Sequence, residues 1–231
     1  MTTATTTHPP ALLAALGRVT GDIKHSPSAL STLDVLWVLY DRVLRISPET
    51  LDDPGRDRFL LSKGHGPAAF YCVLATKGFF PLDWLDDLGR WTSRLGHHPD
   101  RTLVPGAEIS AGSLGHGLGL GVGTALGLRA QGYLTARVVV LLGDAELDEG
   151  ANHEAIAYAG TAGLDSLTAV VIDNASATHG WPGGIASRFT VNGWRACIVD
   201  GRDHDAIEAA LRGNVSGQPH VVVAVVEPKG V

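Results

Sequence analysis

The segment Arg137-Val138-Val139-Val140-Leu141-Leu142-Gly143-Asp144-Ala145 decides how the rest of the chain is read. Its apolar residues follow one another without the alternation of a half-exposed strand, which suits a strand covered on both faces in a parallel sheet. A helical pattern follows within a few residues, over Asp148–Ala162. Similar apolar runs return at Thr168–Asp173, at Arg195–Asp200 with a helix over Asp203–Leu211, and at Val221–Val226. Strand then helix, repeated, defines an α/β class with an open, mostly parallel sheet flanked by helices.

Upstream of that segment the chain reads as helical. Ala11–Ile23 and Ser31–Leu44 place apolar residues at helical spacing, and Ser31 with Asp34 resembles a capping box. Pro67–Lys77 and Leu82–Arg90 read as shorter helices. Residues 93–111 lack periodicity and contain Gly96, Pro99, Pro105 and Gly106, the mark of a long functional loop. Glycine then recurs at 112, 115, 117, 119, 121, 123 and 127. A strand of that composition would pack poorly. A helix over Gly112–Gln131 would let another backbone lie against it, at about 1 kcal/mol per glycine relative to alanine. With no internal repeat and no linker, residues 11–231 form one domain. The Thr-rich residues 1–10 are a disordered lead-in without the basic and apolar blocks of a signal peptide.

Composition narrows the function. Hydrophobic residues make up 45% and charged residues 18% of the 231, which is ordinary for a globular chain. A net charge of −6 argues against a nucleic-acid groove, and no apolar run reaches a membrane-spanning length. Two cysteines, Cys72 and Cys197, make no disulfide framework and fit a reducing cytoplasm. The 29 glycines and 10 histidines point to close backbone approach and to proton chemistry. The glycine-rich segment lacks the preceding strand of a dinucleotide fingerprint.

In open α/β sheets ligands bind where strand carboxyl ends meet helix N-termini, a place that favours phosphate. Yet Asp144, Glu146, Asp148 and Glu149 would repel a bare pyrophosphate. A divalent cation resolves the conflict, held by carboxylate and amide oxygens and holding the phosphates in turn. Asp144 and Asn174, which ends the next strand, are candidates for one metal site; equally, Asp144 reads as a helix N-cap and Asn174 as a turn residue.

Gly143-Asp144-Ala145 followed by Asn174 resembles the thiamine-diphosphate motif of transketolases, usually Gly-Asp-Gly then Asn. Other stretches agree in order and spacing. Ser62-Lys63-Gly64-His65-Gly66 resembles Ser-x-Gly-His-Gly, His98-Pro99-Asp100 resembles His-Pro-Glu, and Pro105-Gly106-Ala107-Glu108 resembles Pro-Gly-x-Glu. Gly112-Ser113-Leu114-Gly115-His116-Gly117 resembles Gly-x-Leu-Gly-Gln-Gly, and Glu149-Gly150 falls where the family has Glu-Gly. Each is weak alone; together, in order over most of the chain, they are strong.

The resemblance implies a thiamine diphosphate-binding fold of the diphosphate-binding type. It makes Asp144 and Asn174 side-chain ligands of Mg²⁺ or Ca²⁺, with the carbonyl of Ser176 as third protein ligand. His65 and the backbone of Gly143 and Ala145 would contact the diphosphate, and Gly112, Ser113 and Leu114 would lie near the aminopyrimidine ring. Glu149 would sit by the cofactor and meet its counterpart across a subunit interface. His25, His65 and His98 match histidines that line the catalytic cleft, although Lys24 stands where the family has glycine. His116 replaces the common glutamine and joins them. His8, His97, His153, His204 and His220 read as surface residues or as satisfied by helix ends; His179 is open.

The resemblance covers roughly Leu12 to Val231, the family's first domain alone. A full transketolase adds a pyrimidine-binding domain and a third domain, and a further family histidine beyond Pro228-Lys229-Gly230-Val231 is absent. The expectation is therefore the diphosphate-binding subunit of a split transketolase. It would be active only with a separate pyrimidine-binding subunit, and would form a homodimer within an α2β2 assembly. It would move a two-carbon ketol unit from a ketose or its phosphate to an aldehyde. Two alternatives stand. A 2-keto acid decarboxylase with acyl transfer is suggested by likeness to the pyruvate dehydrogenase first component. A non-catalytic, partner-binding paralogue is suggested by Ala145.

Overall fold

The computed structural model describes residues 8–19, 26–64, 67–213 and 215–228. Five strands, β1 (Arg58–Leu61), β2 (Val138–Gly143), β3 (Leu167–Asp173), β4 (Arg195–Asp200) and β5 (His220–Val225), form one sheet in the order β1-β2-β3-β5-β4. Every pairing is parallel, so all carboxyl ends lie along one edge. Val138 pairs with Leu167 and Gly143 with Ile172, which sets the end of β2 beside the end of β3.

The unbroken apolar runs follow from burial on both faces. Val139, Leu141, Val170, Ile172, Val222 and Ala224 pack into the core shared with α1 (Pro10–Arg18), α2 (Ser26–Val38), α3 (Pro67–Thr76) and α7 (His204–Arg212). Val138, Val140, Leu142, Ala169, Val171 and Val223 face the other way, toward α4 (His116–Ala130), α5 (Gly150–Thr161) and α6 (Gly184–Thr190). Successive strand residues point to opposite faces, so one apolar run feeds two cores.

Several expectations change. β1 breaks the all-helical first half; its four residues are too short to show a period, and Arg58 at its start hides the apolar run. Helix α2 begins at Ser26, so Ser31 and Asp34 are buried interior residues and not a capping box. Residues 20–23 of the expected first helix lie outside the described residues, and α1 takes in Pro10 from the expected lead-in because proline suits a first helical position. Leu82–Asp87 is a 3-10 segment. Helix α4 starts at His116, because Gly112 (φ +135°) and Gly115 (φ +82°) hold left-handed backbone ahead of it. His220, read as a surface or helix-end histidine, is 1% exposed at the start of β5.

Candidate cofactor and metal site

The turn after β2 is organised by two acidic side chains. Asp144 is 2% exposed and makes no ion pair among the described residues. Its Oδ1 accepts from the Ala145 N–H at 2.9 Å and the Ser176 hydroxyl at 2.6 Å, its Oδ2 from the N–H groups of Ser176 at 2.6 Å and Ala177 at 3.1 Å. Asp144 thus caps the 3-10 turn Ala145–Asp148 and ties the loop after β3 to the turn after β2. The capping reading of Asp144 is therefore the one its hydrogen bonds display.

Between the clamp and β3 sits Asn174, 2% exposed, whose Oδ1 is buried without a hydrogen-bond partner. Ala175 next to it takes φ +53°, a left-handed conformation that costs a residue with a β-carbon. A buried amide oxygen without a hydrogen-bond partner, and a buried carboxylate that makes no ion pair among the described residues, are oxygen donors of the kind a hard divalent cation takes. On those grounds the residues fit the cation. Ser176 joins the group through its N–H and hydroxyl on Asp144.

Glu146 belongs to none of the quoted motifs, yet it holds the neighbouring loops. It is 1% exposed; Oε1 accepts from the Gly143 N–H at 3.1 Å, and Oε2 from the Ser62 hydroxyl at 3.0 Å and the Gly115 N–H at 3.4 Å. The Gly117 N–H donates to Ser62 Oγ at 3.1 Å. Burial pushes the Glu146 carboxyl up to about 7, against the opposing pull of those donors and Lys63. A sequence signal for it exists: a glutamate three residues after a glycine can turn back onto that glycine's N–H. Lys63, 7% exposed, lies beneath the turn, since a β-carbon at Gly143 would stand 3.4 Å from its methylenes.

The other expected residues continue this edge. His98 donates from Nδ1 to the Gly64 carbonyl at 2.9 Å, which makes Nε2 the acceptor nitrogen of the neutral ring. A β-carbon at Gly112 would come 3.3 Å from that ring, and one at Gly64 would come 3.0 Å from Gly112 Cα. A β-carbon at Gly115 would lie 2.7 Å from Glu149 Cβ. The glycines therefore allow backbone and side chains to close on one another as well as on a ligand. Gly112, Ser113 and Leu114 are exposed on this rim, and Glu149 is exposed at the start of α5. Ala145 has a φ outside the left-handed range, so the backbone there does not demand the family's glycine. The N–H groups of Gly143 and Ala145 are already engaged by Glu146 and Asp144, and a diphosphate taking them would compete with those carboxylates. His25 and His65 lie outside the described residues.

A parallel sheet with a glycine-lined, oxygen-rich turn at its carboxyl edge places the chain among α/β cofactor-binding proteins. Residues 20–224 match the family model described as "Transketolase, thiamine diphosphate binding domain", and the chain belongs to that family. One subunit of the apulose-4-phosphate transketolase of Actinobacillus succinogenes is 35% identical over 87% of this chain and 75% of its own length. The protein named "Ferredoxin fas2" of Rhodococcoides fascians is 54% identical over 93% of this chain and 71% of its own. These 231 residues carry two cysteines, fewer than the four thiolates of a plant-type or bacterial ferredoxin cluster. The solved transketolase of Pichia stipitis with sedoheptulose-7-phosphate is 28% identical, with a TM-score of 0.73 over 91% of this chain and 36% of that one. The chain thus spans about a third of the solved transketolases it matches.

Proposed function

We propose that this chain is the diphosphate-binding subunit of a split transketolase, which moves a two-carbon ketol unit from a ketose or its phosphate to an aldehyde acceptor. The observation that carries the reading is that Asp144, buried and without an ion pair among the described residues, and the unpartnered Oδ1 of Asn174 stand at the carboxyl ends of adjacent strands, in a chain that matches the thiamine diphosphate binding domain of transketolase. Relatives named as single subunits of a transketolase, including those of Actinobacillus succinogenes and Phocaeicola vulgatus, support the divided architecture and a separate pyrimidine-binding partner. Two copies of this chain with two of that partner are the proposed assembly, in the cytoplasm.

When bound, thiamine diphosphate supplies the electron sink that stabilises the carbanion left by C–C cleavage. The chain's own residues hold, orient and shield. Asp144, Asn174 and the carbonyl of Ser176 would hold Mg²⁺ or Ca²⁺. Asp144 offers roughly four lone-pair sites and accepts four donors, one from the turn after β2 and three from the loop after β3, so its role as a ligand would mean giving up one of them. Glu146 fixes the turn after β2 and the loop ahead of α4 relative to one another. His98, held by its Nδ1–H on the Gly64 carbonyl, is proposed as a proton-transfer residue of the cleft, with His25 and His65 beside it.

Calorimetric titration of thiamine diphosphate into the chain, with Mg²⁺ and with chelator, with and without the partner, tests this. Magnesium-dependent binding that tightens with the partner and disappears in Asp144→Ala is expected. No binding to the associated pair, under any condition, overturns the proposal in favour of a non-catalytic paralogue. Product analysis with ketoses against 2-keto acids then separates ketol transfer from decarboxylation.

A further inference from the structure

Away from that turn, one group of three metal-ligating side chains converges among the described residues: His8, Asp34 and His204. His8 precedes α1, Asp34 lies within α2, and His204 opens α7. Nε2 of His204 lies 2.8 Å from Asp34 Oδ1, Nε2 of His8 lies 3.3 Å from that same oxygen, and the three ligand atoms all fall within 4.8 Å of one another. The side chains of Asp34 and His204 are 5% and 9% exposed, and that of His8 is 17% exposed. We propose that these residues form a second metal site, two imidazoles and one carboxylate, for a divalent ion of the zinc type, which clasps the segment ahead of α1 onto α2 and α7.

Donor chemistry selects the ion: imidazole nitrogen suits zinc, whereas magnesium prefers oxygen. Ligands about 2.0–2.2 Å from one ion, at angles between square and tetrahedral, stand about 2.9–3.5 Å apart. The two separations from Asp34 Oδ1, 2.8 and 3.3 Å, lie close to that range, and the two imidazole nitrogens stand within 4.8 Å of one another. The carboxylate is already oriented, because Arg202 Nη1 donates to Asp34 Oδ2 at 2.5 Å and leaves Oδ1 facing the imidazoles. Outer partners of this kind fix ligating carboxylates in metal sites. Glu227 in turn holds Arg202 Nη2 at 2.6 Å, so the guanidinium charge is offset and the charge of Asp34 remains for the ion. The positive end of α7 is likewise capped, with Asp203 Oδ1 accepting from the Asp205 and Ala206 N–H groups.

Hydrogen bonding alone accounts poorly for His8. Its Nδ1 is buried without a partner, and Nε2 gains a single 3.3 Å contact with an oxygen that His204 already occupies. Burial holds its pKa below the usual imidazole value; Asp34 opposes this, while His204 and Arg202 add to the lowering.

Zinc titration into the metal-stripped full chain, in saturating Mg²⁺, tests the site without reference to activity and independently of the transketolase reading. One Zn²⁺ equivalent is expected, retained in Asp144→Ala and weakened at least 10-fold in His8→Ala and in His204→Ala. Arg202→Gln should weaken it 10- to 100-fold, the usual effect of losing an outer partner. Zn²⁺ should raise the melting temperature of the parent and not of His8→Ala. Should His204→Ala fail to fold, His8→Ala decides alone, since His8 stands outside every helix and strand. Equal zinc affinity in the parent and His8→Ala, or no binding by the parent, overturns the proposal.

Discussion

Asp144 and Asn174 are expected to respond in opposite ways to truncation, because one is satisfied by the protein and the other is not. Asp144→Ala removes a charged acceptor from the part-buried N–H groups of Ser176 and Ala177 and should cost about 1–3 kcal/mol in denaturant unfolding, along with cofactor binding. Asn174→Ala removes an unpartnered oxygen and should leave stability within about 1 kcal/mol, while magnesium-dependent cofactor binding falls. Equal stability losses in the two would remove the argument that Asn174 is kept for a ligand. His220 gives a residue-scale test of a different kind. Burial, with Arg195 adding, lowers its pKa to about 4 from 6.5. Between those values the unfolded chain takes a proton that the folded chain refuses, so its contribution to stability is full above about pH 6.5 and is lost as pH falls toward 4. Urea titrations at pH 7 and pH 5 should show this loss, and His220→Leu should shrink the difference. The placing of Asp144 and Asn174 together at one sheet edge was legible in the sequence, because each directly follows an unbroken apolar run that reads as a buried strand. Glu146 escaped because its partners, Ser62 and Gly115, are 84 and 31 residues away, and only the fold brings them to it.

Helix α4 shows how glycines of one element divide by the face they occupy. A β-carbon at Gly121 would stand 2.4 Å from Val140 Cγ2, and one at Gly117 would stand 2.2 Å from Ser62 Cβ, so both are fixed by close approach to the sheet and to the site. At Gly119, Gly123 and Gly127 a β-carbon meets nothing within 4 Å. Gly121→Ala should therefore destabilise by about 1–3 kcal/mol through overpacking. Gly123→Ala should stabilise the isolated chain by about 0.4–1 kcal/mol, since its helical conformation suits alanine and the unfolded chain loses freedom. Thermal melts of the two variants check the contrast. The sequence showed the helix and its small residues without separating these faces, since spacing gives a face and not what lies opposite. It also overran the helix start, because the positive φ values at Gly112 and Gly115 belong to a loop whose purpose appears only when His98 and Glu149 are in place. Strand β1 was missed for the opposite reason: four residues carry too little pattern, and its pairing with β2 is a long-range fact.

At the scale of the whole molecule, the α4 and α5 side of the sheet leaves apolar surface uncovered. On the α4 and α5 side, Leu120 is 48% exposed and Tyr158 is 54% exposed, next to the open glycine stripe of α4. Leu114, 42% exposed, continues that surface to the rim of the cofactor site. Apolar surface joined to small residues is what a second backbone can approach closely, and in the proposed assembly a second copy of this chain covers it. Leu120→Glu and Tyr158→Glu place a charge where that copy would bury it, while in the isolated chain the charge stays in water. Each should therefore halve the mass seen by sedimentation equilibrium and leave the melting temperature of the dissociated chain nearly unchanged, whereas Leu134→Glu, on a 73% exposed residue between α4 and β2, should change neither. Cofactor binding should weaken with the mass, because Glu149 and the Gly112–Leu114 loop border the same surface. A parent chain that is monomeric with its partner present, or a Tyr158→Glu variant that keeps both mass and cofactor affinity, would assign that surface to something other than a second copy.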